Sequence, residues 1–139
     1  MADDDDDNDN EEGEFPLDRI SMMAAEGAPL EEIDAALDVF LTLPDREDYR
    51  ASVEHDRVVI YCERRRPLEE CEALLERYLA VDNDLALRAD TVDVVYAIRP
   101  EIAPRHLDAM IAQLEADTSG SPRVAGRLER LRGRRAKIA

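Results

Sequence analysis

An internal repeat constrains the fold of this chain more than any other feature of its sequence. Residues 29–43 read Pro-Leu-Glu-Glu-Ile-Asp-Ala-Ala-Leu-Asp-Val-Phe-Leu-Thr-Leu, and residues 67–81 read Pro-Leu-Glu-Glu-Cys-Glu-Ala-Leu-Leu-Glu-Arg-Tyr-Leu-Ala-Val. A weaker third copy begins at Ala103. The first two copies open with proline and two acidic residues, and apolar residues recur three or four positions apart in all three. This pattern predicts an amphipathic helix in each copy.

The segments that precede the second and third copies also resemble one another. Residues 49–63 and 84–98 each contain two short runs of aliphatic and aromatic residues, separated by His55-Asp56 in the first segment and by Ala89-Asp90 in the second. Such runs predict two β-strands joined by a tight turn. The repeating unit is therefore predicted to be strand, strand, helix.

Two such units predict an α+β fold with the order ββαββα, a permuted ferredoxin-like arrangement that two short helices precede. Residues 15–118 would form one domain, with a helical lead-in at 15–43 and the two repeats at 49–81 and 84–116. Helices would cover one face of a four-stranded sheet. The bare apolar face of that sheet favours a homodimer.

The chain is strongly acidic, with 34 Asp and Glu against 18 Lys and Arg and a net charge of −16. Such an excess of carboxylates keeps a protein hydrated in concentrated salt, so we expect a halophilic protein. Residues 1–14 contain nine acidic residues and no basic one, which predicts a disordered tail that serves solubility or attracts a basic partner. Residues 119–139 are predicted to be a linker followed by a basic helix.

The sequence offers little support for catalysis, metal binding or membrane insertion. It contains no Gly-rich phosphate loop, no HExxH and no Ser–His–Asp order, so we expect a non-enzymatic protein without a cofactor. Cys62, Cys71, His55 and His106 lack the spacing of zinc ligands, and we expect no metal. No apolar run approaches the ~20 residues that span a bilayer, and no signal peptide is apparent. We therefore expect a cytoplasmic location.

The favoured candidate site is a cluster of basic residues that follows the two predicted central strands. Because those strands would be parallel, their carboxyl ends would meet at one edge, beside two helix N-termini that suit phosphate or carboxylate. The predicted anion-binding residues are Arg64, Arg65, Arg66, Arg99, Arg105 and His106. The alternative is that these side chains form ion pairs with neighbouring Glu and Asp residues.

A second hypothesis is nucleic-acid binding by the C-terminal segment, which has seven basic residues and one acidic residue after position 122. Its candidate residues are Arg123, Arg127, Arg130, Arg132, Arg134 and Arg135. The acidic remainder of the chain would repel nucleic acid, and the segment has no interleaved aromatic residue for base stacking. The alternative is that the segment docks on an acidic surface of its own fold or of a partner.

Residues 20–37 resemble the first two helices of resolvase-type helix-turn-helix proteins. The resemblance implies a polar, basic recognition helix in the next segment. Residues 40–48 instead contain Pro44 and three acidic residues, which argues against this function. We accordingly expect a small binding or regulatory domain with a small anionic ligand. A structural or viral assembly component is a further alternative.

Overall fold

The computed structural model describes residues 16–138, and the regular structure in that range is helical. The helices are α1 (Pro16–Ala25), α2 (Leu30–Thr42), α3 (Arg50–Glu63), α4 (Leu68–Val81), α5 (Leu85–Ile98), α6 (Arg105–Ala116) and α7 (Pro122–Ala136), with a 3₁₀ turn at Glu47–Tyr49. The α+β prediction is therefore wrong, because the described residues contain no strand. The predicted disordered tail, residues 1–14, lies outside the described residues.

The two predicted strand pairs are single helices, α3 and α5. The expected turns at His55-Asp56 and Ala89-Asp90 lie inside these helices. In α5 the buried residues Ala86, Ala89 and Val92 recur every three residues, which places them along one side of a helix. Asp84 caps α5, since its side chain accepts a hydrogen bond from the Leu87 N–H at 3.1 Å. Burial of this face outweighs the preference of the valine-rich segment for a strand.

The three copies of the internal repeat are consequently helices α2, α4 and α6, and another helix precedes each of them in the chain. The helices that the Pro-Leu-Glu-Glu copies predict are present as α2 and α4. Pro29 and Pro67 precede them with nearly the same backbone conformation, φ −57° and ψ 141° for Pro29 and φ −51° and ψ 144° for Pro67. The homodimer was predicted because one apolar face of a sheet would be uncovered. The described residues contain no sheet, so this reason for a homodimer does not apply.

The chain divides into two compact units, residues 1–56 and residues 57–139, with the boundary inside α3. In the first unit α1 packs against α2. The buried apolar residues of these two helices are Leu17, Ile20, Ile33, Leu37 and Phe40. The Arg46 guanidinium stacks on the Phe40 ring, 5.1 Å from its centroid, and covers this end of the helix pair.

The second unit has its own apolar core, to which each of its helices contributes. Helices α5, α6 and α7 pack against one another. Fully buried members of the core include Val58, Cys71, Leu75, Val92, Val95 and Leu107. Helix α7 adds Leu131, which is 1% exposed. No helix within residues 16–138 has both the length and the apolar character needed to cross a membrane.

Candidate functional site

Two arginine-bearing turns of the second unit lie side by side. Arg65 Nη1 donates to the Ile98 carbonyl at 3.5 Å, and Arg99 Nη1 donates to the Arg66 carbonyl at 2.8 Å. The structure therefore brings Arg65, Arg66 and Arg99 together. The expected cause, a pair of parallel strands, is wrong. The two turns are helix-to-helix connections, one from α3 to α4 and the other from α5 to α6.

The first of these turns has the geometry of a Schellman motif. The Arg66 N–H bonds the Tyr61 carbonyl and the Arg65 N–H bonds the Cys62 carbonyl, both at 3.1 Å. Arg65 adopts a left-handed conformation with φ 58°, a position that usually holds glycine. The motif turns the chain sharply from α3 into Pro67 at the start of α4.

Exposed arginines of the cluster form ion pairs with carboxylates of the same chain. Arg66 holds Glu70 through two hydrogen bonds of 2.9 and 3.2 Å. Arg105 contacts both Glu72 and Glu76 at 3.2 Å. Arg64 also interacts with the rest of the chain. The observed geometry is therefore that of the ion-pair alternative, and these pairs reduce the positive charge that an external anion would meet.

Arg99 differs from its neighbours because it is only 7% exposed. Its Nη1 reaches the Arg66 carbonyl and lies 3.9 Å from Cys71 Sγ. Its Nε lies 3.7 Å from Glu101 Oε1 and has no hydrogen-bond partner. Arg99 thus joins one helix connection to the other, and a position between two backbone turns is typical of a structural arginine.

His106 lies in the first turn of α6 and is buried. Its Nε2 is 3.5 Å from Glu76 Oε2, which is outside hydrogen-bond geometry. Burial lowers the pKa of His106, and the charge of Arg105 lowers it further, whereas Glu76 and Glu72 act in the opposite direction. The net shift is downward, so the neutral imidazole is favoured in the folded protein.

Acidification is expected to destabilise the protein through His106. Because the pKa of His106 is lowered from 6.5 in the folded state, the unfolded chain binds a proton at a higher pH than the folded chain does. This contribution to stability is complete above the unfolded value and is lost as the pH falls toward the folded pKa. Thermal unfolding near neutral pH and again about two pH units lower measures the loss. On acidification, His106→Gln should lose less stability than the wild type. Equal losses would contradict the assignment of the effect to protonation of His106.

The two cysteines are buried free thiols of the second unit. Burial and the neighbouring Cys71 thiol raise the pKa of Cys62 to about 12. A thiol with a raised pKa is a poor nucleophile and a poor metal ligand at neutral pH. Within residues 16–138 no group of three or more His, Cys, Asp and Glu side chains could hold a metal ion.

The candidate nucleic-acid residues lie on α7, which packs on α5 and α6. Five of the six form ion pairs with carboxylates of those two helices. The pairs are Arg127–Asp90 at 2.9 Å, Arg130–Asp90 at 3.5 Å, Arg134–Asp93 at 2.9 Å, Arg132–Glu115 at 2.7 Å and Arg135–Asp108 at 2.7 Å. Arg123 is exposed at the start of the helix. The arrangement is that of the docking alternative, in which the basic segment binds an acidic surface of its own fold.

The net charge of the chain is concentrated in its first unit. Residues 1–56 contain twenty acidic and three basic residues, whereas residues 57–139 contain fourteen acidic and fifteen basic residues. The second unit is therefore close to neutral, and many of its arginines form ion pairs with carboxylates of the same unit. The acidic excess available to a binding partner belongs to the first unit.

An apolar groove of about 400 Å³ lies between α1 and α2 in that first unit. Its lining residues are Arg19, Ile20, Met23, Ala35, Ala36, Val39, Phe40 and Leu43. Val39 is 61% exposed, and Leu43 and Met22 are also exposed. Val39 and Leu43 both line the groove, so part of its apolar lining is open to solvent.

The sequence interpretation missed this groove, although a signal for it exists. The core face of α2 carries Ile33, Leu37 and Phe40. Val39 and Leu43 are four residues apart and lie outside that set, so the apolar arc of α2 is wider than the core requires. Comparison with known proteins adds no information on the site, because no family model, curated protein or solved structure matches the chain.

Proposed function

We propose that this protein is a non-enzymatic binding module that recognises a partner protein through the groove between α1 and α2. The observation that carries the proposal is the apolar lining of that groove, in which Val39 and Leu43 are exposed. An exposed groove between two packed helices suits the mode in which a partner inserts apolar side chains from one face of a helix.

The lining of the groove favours a protein partner over a polar metabolite. Apart from Arg19, the lining side chains are apolar, so a polar ligand would lose hydrogen bonds to water and recover few. A volume of about 400 Å³ accommodates a few apolar side chains. The buried residues Ile33 and Leu37 fix α2 against α1, which gives the groove firm walls.

Anion binding at the arginine cluster is not part of this proposal. Arg66 and Arg105 hold carboxylates, and Arg99 is buried against a backbone carbonyl. Nucleic-acid binding by α7 is disfavoured for the same reason, since ion pairs with α5 and α6 occupy its arginines. The proposed function is still that of a binding domain, but the binding surface is the groove between α1 and α2 and not the arginine cluster.

Val39→Asp is expected to weaken binding at the groove at least tenfold, because the apolar partner would face a carboxylate. The probes are three 18-residue amphipathic helical peptides that share a leucine stripe and carry Arg, Gln or Glu on the flanking positions. Titration of fluorescently labelled peptides into the full-length protein, followed by anisotropy, measures the dissociation constants. Because Val39 is exposed, the melting temperature of the variant should stay close to that of the wild type.

Val94→Asp is the matched control. Val94 is 37% exposed on α5, in the second unit, and the same substitution there should leave peptide binding unchanged. Failure of all three peptides to bind the wild type, or equal binding by Val39→Asp, would reject the proposal. Light scattering provides a further check, because a dimer of the 15.7 kDa chain that Val39→Asp dissociates would assign the groove to a second copy instead.

A further inference from the structure

We infer that the segment this groove binds is a basic amphipathic helix of another protein, with an apolar stripe and arginines on either side of it. This inference rests on the proposed function of the groove and adds the chemistry of the partner. Its basis is the charge around the groove, the arrangement of the groove itself and a contact of the same chemistry elsewhere in the chain.

The unit that contains the groove is rich in carboxylates. Residues 16–56 carry eleven acidic side chains and three arginines, and residues 1–14 of the sequence carry nine more acidic side chains. A partner segment with positive charge would be attracted to this unit and oriented on it. A segment with negative charge would be repelled.

Acidic residues also stand at one end of the groove. Glu32 precedes Ala36 by one helical turn on α2. Glu26 lies directly after α1, three residues beyond Met23, and its N–H continues the helical hydrogen bonding by donating to the Met22 carbonyl at 2.9 Å. Both glutamates are exposed, so both are accessible to a bound partner. Residues spaced by three or four positions share a helix face, which places these carboxylates beside the apolar lining. An arginine that flanks the apolar stripe of a partner helix would meet them at this end.

Helix α7 shows within the same chain how such a helix binds. Its Leu131 is buried in the core of the second unit. On α5, Asp90 receives two hydrogen bonds from Arg127 and Asp93 receives two from Arg134. Apolar burial and guanidinium–carboxylate pairs thus act together, and such charge-assisted pairs give a helix a defined register. The α1–α2 surface offers the same combination of an apolar groove and carboxylates.

A second copy of this chain fits the groove less well. Two such units in contact would bring eleven acidic side chains of one protomer against eleven of the other, with three arginines on each to offset them. Like charges that face one another across an interface oppose association. The charge balance therefore selects a basic partner over self-association.

The test compares the Arg, Gln and Glu peptides on the full-length protein at low and at molar KCl. We expect the Arg peptide to bind at least tenfold more tightly than the Gln peptide at low salt and the Glu peptide to bind most weakly. This advantage should shrink at about 1 M KCl, where the Debye length is about 3 Å. The double variant Glu26→Gln with Glu32→Gln should reduce the advantage of the Arg peptide over the Gln peptide at low salt. A separate variant, in which asparagine replaces aspartates 3–7, should do the same. Neither variant should change the binding of the Gln peptide. Glu129→Gln on α7 is the control for loss of an exposed carboxylate.

The outcomes separate this inference from the function on which it rests. If the Gln peptide binds as tightly as the Arg peptide at low salt and Val39→Asp abolishes that binding, the basic-helix inference fails and the groove function stands. If the Arg peptide binds Val39→Asp as well as the wild type, the attraction is nonspecific and the inference fails. If no peptide binds the wild type, the proposed function itself fails.

Discussion

Leu131→Asp is expected to lower the free energy of unfolding of the second unit by about 4 kcal/mol. Leu131 is 1% exposed and belongs to the core formed with α5 and α6. The substitution removes buried apolar surface and places a carboxylate where water cannot reach it. Since small domains are stable by only about 5–15 kcal/mol, the loss should unfold much of the second unit at moderate urea concentrations.

Urea unfolding followed by circular dichroism measures this effect. Leu131→Met retains apolar volume and should cost less than about 1.5 kcal/mol. Arg130→Ala, whose side chain is exposed and lies 3.5 Å from Asp90, should cost less than about 1 kcal/mol. A midpoint for Leu131→Asp equal to that of Arg130→Ala would contradict the packing of α7 on α5 and α6.

The docking of α7 also explains why an acidic chain contains an arginine-rich helix. Asp90 and Asp93 on α5 and Asp108 on α6 each face an arginine of α7. Without α7 these carboxylates would repel one another across an exposed apolar surface. The helix therefore closes the core and neutralises the charge of the surface it covers. A basic segment in an acidic chain is explained here by intramolecular pairing.

The sequence predicts α2 and α4 well because several independent signals agree. Pro29 and Pro67 mark the starts of these helices, two glutamates occupy each first turn, and apolar residues keep helical spacing through to Phe40 and Tyr78. Ser121 and Pro122 mark the start of α7 in the same way, and the Ser121 hydroxyl accepts a hydrogen bond from the Arg123 N–H.

The same reasoning fails for α3 and α5 because their apolar runs suit both helix and strand. Residues 58–62 alternate between buried and partly buried side chains, a pattern with the period of a strand, although they lie in a helix. A helix that is covered on several sides shows a nearly continuous apolar run, and short runs of this kind cannot be assigned by periodicity alone. The choice between helix and strand depends on which other helices cover the segment, and the local sequence does not contain that information.

The candidate sites show a similar division. Arg65, Arg66 and Arg99 do lie together, although the predicted topology is wrong, because the repeat places an arginine-bearing turn after both α3 and α5. Whether those arginines are available to a ligand depends on partners such as Glu70, which only the three-dimensional structure reveals. The groove depends in the same way on how α1 packs against α2. Exposure of Val39 follows from that packing and not from its residue type.

Arg99→Ala is expected to destabilise the second unit by about 2–4 kcal/mol. The substitution leaves a cavity beside Cys71 and removes the donor that the Arg66 carbonyl uses at 2.8 Å. It also removes the shorter of the two hydrogen bonds that join the helix connections and leaves the bond of 3.5 Å from Arg65 to the Ile98 carbonyl. Arg65→Ala, which removes an exposed side chain with a hydrogen bond of 3.5 Å, should cost less than about 1 kcal/mol and serves as the control.

Arg99→Lys distinguishes the charge of this residue from its geometry. Lysine keeps the positive charge but lacks the planar guanidinium that reaches the Arg66 carbonyl while its Nε faces Glu101. If the geometry matters, urea unfolding should show Arg99→Lys close to Arg99→Ala, whereas recovery by lysine would indicate that Arg99 acts as a charge.

Inorganic phosphate adds a separate test of the anion hypothesis. A structural arginine predicts no rise in the wild-type melting temperature beyond that given by KCl at equal ionic strength. A rise specific to phosphate that Arg99→Ala abolishes would restore the arginine cluster as a ligand site.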